Sequence, residues 1–230
     1  MKALKLTVSL LLLACLMTNT AEAQDWANLN RYKAANEKLK APAADEQRVI
    51  FMGNSITEAW VSISPDFFKE NTYIGRGISG QTTPQMLVRF RADVIDLQPK
   101  AVVILAGTND IAGNTGPMTL EMIFDNLKSM AELAKANGIA VVLSSVLPVY
   151  DYPWKPGLEP ARKIVKLNAM IKAYAEKQGM VYLDYFAPMA DDRDGLKKSL
   201  GDDGVHPNKA GYDIMEPLAQ KAIATVLADQ

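Results

Sequence analysis

Thiol and imidazole groups are almost missing from this chain, which has one cysteine, Cys15, and one histidine, His206, in 230 residues. Cys15 falls in a leader-like N-terminal stretch, so the rest of the chain can form no disulfide and offers no thiol nucleophile. A zinc site built on several histidines or on a cysteine cluster is excluded as well, and no motif indicates a resident metal or cofactor. Charge of one sign is also lacking. Lys and Arg number 25 against 26 Asp and Glu, the formal net charge is −1, and no basic stripe is present, so no nucleic-acid partner is expected. Linkers, internal repeats and low-complexity tracts are absent. With 49% apolar and 22% charged residues, the composition is that of one medium globular domain.

What is present begins with a secretory pattern. Lys2 and Lys5 precede an apolar run, Leu6 to Leu16, and Ala21-Glu22-Ala23 forms an A-x-A cleavage site. Residues 1–23 therefore read as a signal peptide, with the mature domain over 24–230 and a secreted or periplasmic location. The run is too short to leave a stable membrane span. A lipoprotein signal ending at Cys15 (Leu12-Leu13-Ala14-Cys15) is the alternative.

Beyond Gln24, short apolar runs alternate with amphipathic stretches. Strands are expected at Arg48–Met52, Thr72–Ile74, Ala101–Ala106, Ile139–Leu147 and Met180–Tyr185. Helices are expected at Trp26–Lys40, Thr57–Phe68, Pro84–Leu97, Leu120–Ala136, Arg162–Gln178 and Asn208–Leu227. Pro84 suits a first helical turn, while Asn137-Gly138 and Gly179 suit helix ends. This β-α alternation predicts an α/β fold, a single three-layer α/β/α domain with a central parallel sheet.

Polar clusters then follow four of the strands or close the chain: Ser55, Gly80, Asn109 and the Asp203/His206 pair. The carboxyl edge of a parallel sheet would gather them. A serine hydroxyl needs a base, and His206 is the one imidazole available to Ser55. Asp203, three residues before it, would accept the other ring N–H; Asp202 is the adjacent alternative. The amides of Ser55 and Gly80 and the side-chain NH₂ of Asn109 are suitable donors for an oxyanion. Taken singly, each residue has a plainer reading. Asn109 could cap a helix, Asp203 could close a turn, His206 could be solvated, and Ser79 is a rival nucleophile.

The blocks Gly53-Asn54-Ser55, Ile78-Ser79-Gly80, Gly107-Thr108-Asn109-Asp110 and Asp203-Gly204-Val205-His206-Pro207 resemble, in order and spacing, those of the SGNH (GDSL-type) hydrolases. The resemblance covers essentially the whole mature chain. It implies a flavodoxin-like SGNH hydrolase fold, with Ser55 as nucleophile, Gly80 and Asn109 in the oxyanion hole, and His206 as base oriented by Asp203. Asn54 stands where the motif that gives the family its GDSL name has Asp.

Substrate is read from aromatic residues. Tyr150, Tyr152 and Trp154 lie in a loop after a strand, and Trp60 lies near the nucleophile; together they are candidates to stack on a sugar ring. Their plainer role would be to pack the loop onto the domain. No long apolar segment offers a lid or acyl channel. The expected partner is thus a small-molecule or glycan ester, foremost an O-acetylated carbohydrate, with a lysophospholipase or arylesterase activity as the alternative. Two other classes compete. Gly75-Arg76-Gly77-Ile78-Ser79-Gly80 is a literal G-x-G-x-x-G, the dinucleotide fingerprint, but the acidic ribose ligand expected about twenty residues on is replaced by Leu97-Gln98-Pro99-Lys100. A catalytically dead sugar-binding protein on the same fold is the other, and the intact Ser, Gly, Asn, Asp and His set argues against it.

Overall fold

The computed structural model describes residues 24–228, so the leader expected over 1–23, with Cys15, lies outside them. In chain order the elements are α1 (Asn30–Lys38), β1 (Val49–Gly53), α2 (Ser55–Ile63), α3 (Pro65–Glu70), β2 (Tyr73–Gly77), α4 (Thr83–Asp93), β3 (Ala101–Leu105) and α5 (Thr108–Ile111). They continue with α6 (Leu120–Ala136), β4 (Ala140–Ser144), α7 (Pro160–Gln178), β5 (Val181–Leu183), α8 (Phe186–Met189) and α9 (Lys209–Ala228).

All five strands pair in parallel, in the order β2-β1-β3-β4-β5. Successive side chains of a strand point to opposite faces, so each strand feeds two cores. Ile50, Met52, Val102, Ile104, Val141 and Leu143 pack with α4, α6 and α7. Val49, Phe51, Ala101, Val103, Leu105 and Val142 pack with α2, α3 and α9. Burial on both faces explains why these strands read as unbroken apolar runs. The result is the expected three-layer α/β/α domain.

Several boundaries differ from expectation for identifiable reasons. The stretch Thr57–Phe68 is two helices, because Pro65 starts α3 and Ser64 before it leaves the helical region at φ −129° and ψ 63°. The helix expected to reach Leu97 stops at Asp93, and a 3₁₀ turn, Ile95–Leu97, follows. Strand β2 runs on through Gly75-Arg76-Gly77 rather than ending before them. The one-turn helices α5 and α8 carry no periodicity long enough to announce them.

Candidate active site

The chain leaves β1 for β2 on one side and then returns to β3 on the other. Ligands of open parallel sheets bind at such a reversal, beyond the carboxyl ends of the strands. The ends are level here: Gly53 of β1 lies opposite both Gly77 of β2 and Leu105 of β3. Ser55, Gly80 and Asn109 follow these three strand ends by two, three and four residues.

Ser55 is the first residue of α2. Asn54 caps that helix, its Oδ1 accepting from Ile56 N at 3.0 Å. A Cβ added at Gly77 would stand 2.2 Å from Glu58 N and 2.6 Å from Asn54 O, so β2 is pressed against the first turn of α2. His206 arrives from the loop before α9. Its Nε2 accepts from Ser55 Oγ at 2.9 Å, and its Nδ1 donates to Asp203 Oδ2 at 2.6 Å. Asp203 Oδ1 accepts the backbone N–H groups of Val205 (2.9 Å) and His206 (2.7 Å). Partial burial works to raise the Asp203 pKa, but the donors from His206 and Val205 outweigh it and hold the carboxyl below its usual range. Asp203 and His206 are 43% and 37% exposed in their side chains, so this end of the site is shallow and wet. No bond from Asp202 to the imidazole is present among the described residues.

Gly80 has φ +77°, a left-handed conformation natural to glycine. The loop carrying it is held at both neighbours. Glu58 Oε2 accepts from Ser79 N and Ser79 Oγ, and Gln81 O accepts from Asn109 Nδ2 at 2.9 Å. The Ser79 hydroxyl thus meets a carboxylate, and the imidazole meets Ser55 instead. Asp110 Oδ1 accepts from Thr83 N and Oγ1 at the start of α4, while its buried Oδ2 has no partner among the described residues. Burial pushes the Asp110 carboxyl pKa up, against the two Thr83 donors.

The aromatic candidates divide. Trp60 is 1% exposed and stacks between Phe67 (5.1 Å) and Tyr212 (5.3 Å), with Nε1 donating to Glu216. It is a core residue joining α2 to α9, not a sugar platform, and its removal would cost folding free energy of about 3–5 kcal/mol. Ile56 and Trp60 stand four apart on α2, and this spacing was the signal for a buried face. Tyr152 is also fully buried, its hydroxyl shared with Thr108 O and Oγ1, so it packs the loop as in the plainer reading. Trp154 and Tyr150 are half exposed. The Trp154 ring lies 6.3 Å from that of His206, and Arg193 lies over Tyr150 at 4.5 Å.

Two cavities adjoin these groups. One of about 420 Å³ is lined by Tyr150, Asp151, Glu159, Arg162 and Arg193. Another of about 340 Å³ lies against Gly80, with Trp26, Asn28, Gln85 and Asn114 around it. Trp26, half exposed, precedes α1 instead of opening it as expected, and borders this loop.

The G-x-G-x-x-G has a steric cause unrelated to phosphate. Gly75 and Gly77 belong to β2, where a Cβ would meet Val61 at 2.3 Å or the α2 backbone. Among the described residues no three His, Cys, Asp or Glu side chains are grouped to hold a metal ion. No helix there is long and apolar enough to cross a membrane.

Residues 51–214 match the model of the GDSL-like lipase/acylhydrolase family. The chain belongs to that family. As a GDSL-type acylhydrolase it is a carboxylic ester hydrolase. A GDSL-like lipase from Bacteroides thetaiotaomicron, known from its crystal structure, is 52% identical, with a TM-score of 0.85 over 86% of this chain and 98% of the other. Esterase TesA of Pseudomonas aeruginosa is 28% identical over 182 residues, which cover 74% of this chain and 84% of TesA. A shorter match, 35% over 98 residues, links this acylhydrolase to the uncharacterized Bacillus subtilis lipoprotein YqeF, and covers 41% of this chain and 40% of YqeF. The fold is shared with an acetylxylan esterase from Geobacillus stearothermophilus at 18% identity and a TM-score of 0.63, over 80% of this chain and 96% of that one.

Proposed function

We propose that this acylhydrolase cleaves short acyl esters, above all acetyl esters of a saccharide, through an acyl-enzyme on Ser55. The observation that carries the reading is the relay Ser55 Oγ–H to His206 Nε2 (2.9 Å) and His206 Nδ1–H to Asp203 Oδ2 (2.6 Å). A carboxylate accepts only, so the imidazole proton sits on Nδ1 and Nε2 is free to take the serine proton. Ser55 Oγ attacks the ester carbonyl as His206 accepts its proton. The carbonyl oxygen gains negative charge against the amides of Ser55 and Gly80 and one Asn109 Nδ2 hydrogen, the other being spent on Gln81 O. His206 then returns the proton to the departing alcohol. Water, deprotonated by the same nitrogen, attacks the acyl-enzyme, and His206 returns that proton to Ser55 Oγ as the acid departs.

The saccharide reading rests on Trp154 beside His206, on exposed Tyr150, and on the polar linings of the two flanking cavities. The shallow exposure of His206 and Asp203 favours a small acyl group. The shared fold with an acetylxylan esterase accords with this substrate class. Export is part of the proposal, with cleavage after Ala23 and a mature start at Gln24.

A panel of acetylated saccharides, aryl esters and long-chain acyl esters tests the substrate. Trp154→Ala is expected to lower kcat/KM on the sugar acetate roughly 3- to 10-fold, as loss of one stacking platform should, and to spare a small aryl acetate. Equal losses on both, or faster turnover of long acyl chains, would move the reading to an arylesterase or a lysophospholipase.

A further inference from the structure

Two of the three strand-end loops of the site are fastened to a single buried side chain. Arg89, on α4, is fully buried. Its Nε donates to Gln81 Oε1 at 2.5 Å, one terminal nitrogen to Gly53 O at 2.9 Å, and the other to Asp93 Oδ2 at 2.9 Å. Gly53 ends β1 two residues before Ser55, and Gln81 directly follows Gly80. Gln81 in turn accepts from Asn109 through its backbone oxygen and donates from Nε2 to Ala27 O at 2.7 Å. One planar fork thus joins the Ser55 loop to the Gly80 loop, and through Gln81 to Asn109. Asn36 Nδ2 adds a second donor to Asp93.

A fully buried ion pair is weak evidence of stability, because desolvation offsets most of the attraction, and an apolar pair of similar volume often serves as well. Its value here is directional. A guanidinium presents several donors at fixed angles, which a lysine ammonium on its flexible stem does not. Oxyanion stabilisation depends on donors held in advance where charge develops. We propose that Arg89 is a positioning residue for the acyl-transfer step. By gripping Gly53 O and Gln81 Oε1 together, it sets the spacing between Ser55, the Gly80 amide and Asn109. Arg89 touches neither substrate nor reacting atoms. The inference rests on the Ser55 site proposed above.

Three variants separate positioning from bulk stability. Arg89→Lys keeps the charge opposite Asp93 but loses the fork. The double variant Arg89→Met/Asp93→Leu replaces the pair with apolar volume. Gln81→Leu leaves the pair intact and removes the link to it, so the test survives if the other two fail to fold. Each protein is titrated with a fluorophosphonate carrying a fluorescent tag, which stays on the serine as fluoride leaves, to count reactive serines. The kcat and KM per titrated site are then measured on an aryl acetate, with inhibition by phenylboronic acid, whose serine adduct is tetrahedral.

We expect kcat per titrated site to fall about 10- to 100-fold, as displacements near 1 Å do, with KM changed less than about 3-fold. The phenylboronate inhibition constant should rise in parallel with the loss in kcat. A residue that only stabilised the fold would lower the melting temperature and the titrated fraction, leaving each remaining site fully active. Turnover per site within about 3-fold of wild type in the variants that fold would overturn the inference. A wild type whose Ser55 resists the phosphonate would instead overturn the Ser55 reading and this inference with it.

Discussion

Replacing Asp203 with asparagine exchanges one oxygen for an NH₂, and the surrounding hydrogen bonds turn that exchange into a change of tautomer. Oδ1 of Asp203 already receives two backbone N–H groups, from Val205 and His206, while Oδ2 receives His206 Nδ1–H. An asparagine must keep its one oxygen against the two backbone donors, since turning the amide round would set NH₂ against both. The NH₂ then faces Nδ1, which can only accept, and the imidazole proton moves to Nε2, where it opposes the Ser55 hydroxyl. Restoring the working tautomer requires giving up two backbone hydrogen bonds, each worth about 0.5–1.5 kcal/mol net, or roughly 2 kcal/mol together. That is about a 30-fold depletion of the competent form.

Asp203→Ala removes the carboxylate without imposing a tautomer, because the half-exposed position admits water. We expect it to lower kcat about 10²- to 10³-fold, and Asp203→Asn to lie roughly another 30-fold below it. The assay is kcat on an aryl acetate per phosphonate-titrated site. It is paired with ¹⁵N NMR of the imidazole, which is unambiguous because His206 is the sole histidine. An asparagine variant as active as the alanine one, or one still protonated at Nδ1, would refute the reasoning.

Other consequences are as direct. Ser55→Ala and His206→Ala should each abolish nearly all ester hydrolysis, and the double variant should lose little more, since the two act as a unit; additive losses would separate them. Gly77→Ala would press a methyl group into the backbone of Asn54 and Glu58, and should cost about 1–3 kcal/mol in urea unfolding together with activity. The lowered pKa of Asp203 means the folded state holds its proton less tightly than the unfolded chain. Its contribution to stability is therefore complete above the ordinary carboxyl value near 3.9 and is lost as pH falls through the lower folded value. Acid unfolding of Asp203→Ala should show a correspondingly shallower loss of stability below about pH 4 than wild type.

The strands and long helices were legible because a strand buried on both faces must be apolar throughout, and Leu120–Ala136 and Gly179 carry their own helix and cap signals. The site blocks were legible because each directly follows a strand or opens the last helix. What could not be read was orientation. Tyr152 looks like Trp154 in sequence, and only its packing against Thr108 sends its ring inward. Buried polar residues were equally opaque. Arg89 and Asp110 carry charges that taken alone point to solvent, and their buried partners are assembled only by the tertiary fold.

Ser55 and His206 meet across 151 residues of chain, and Tyr212 in α9 donates to Ile56 O across 156. Contacts so distant in sequence must overcome the entropy of closing a long loop before they contribute. In the proposed mechanism the nucleophile, Ser55, belongs to the first strand-helix unit and the base, His206, to the approach to the last helix. On that mechanism, synthesis or refolding that halts before α9 docks would leave a chain with most of its sheet and no base beside Ser55. Hydrolysis by this mechanism would begin only when the C-terminal helix is home, so the onset of esterase activity would report the docking of α9.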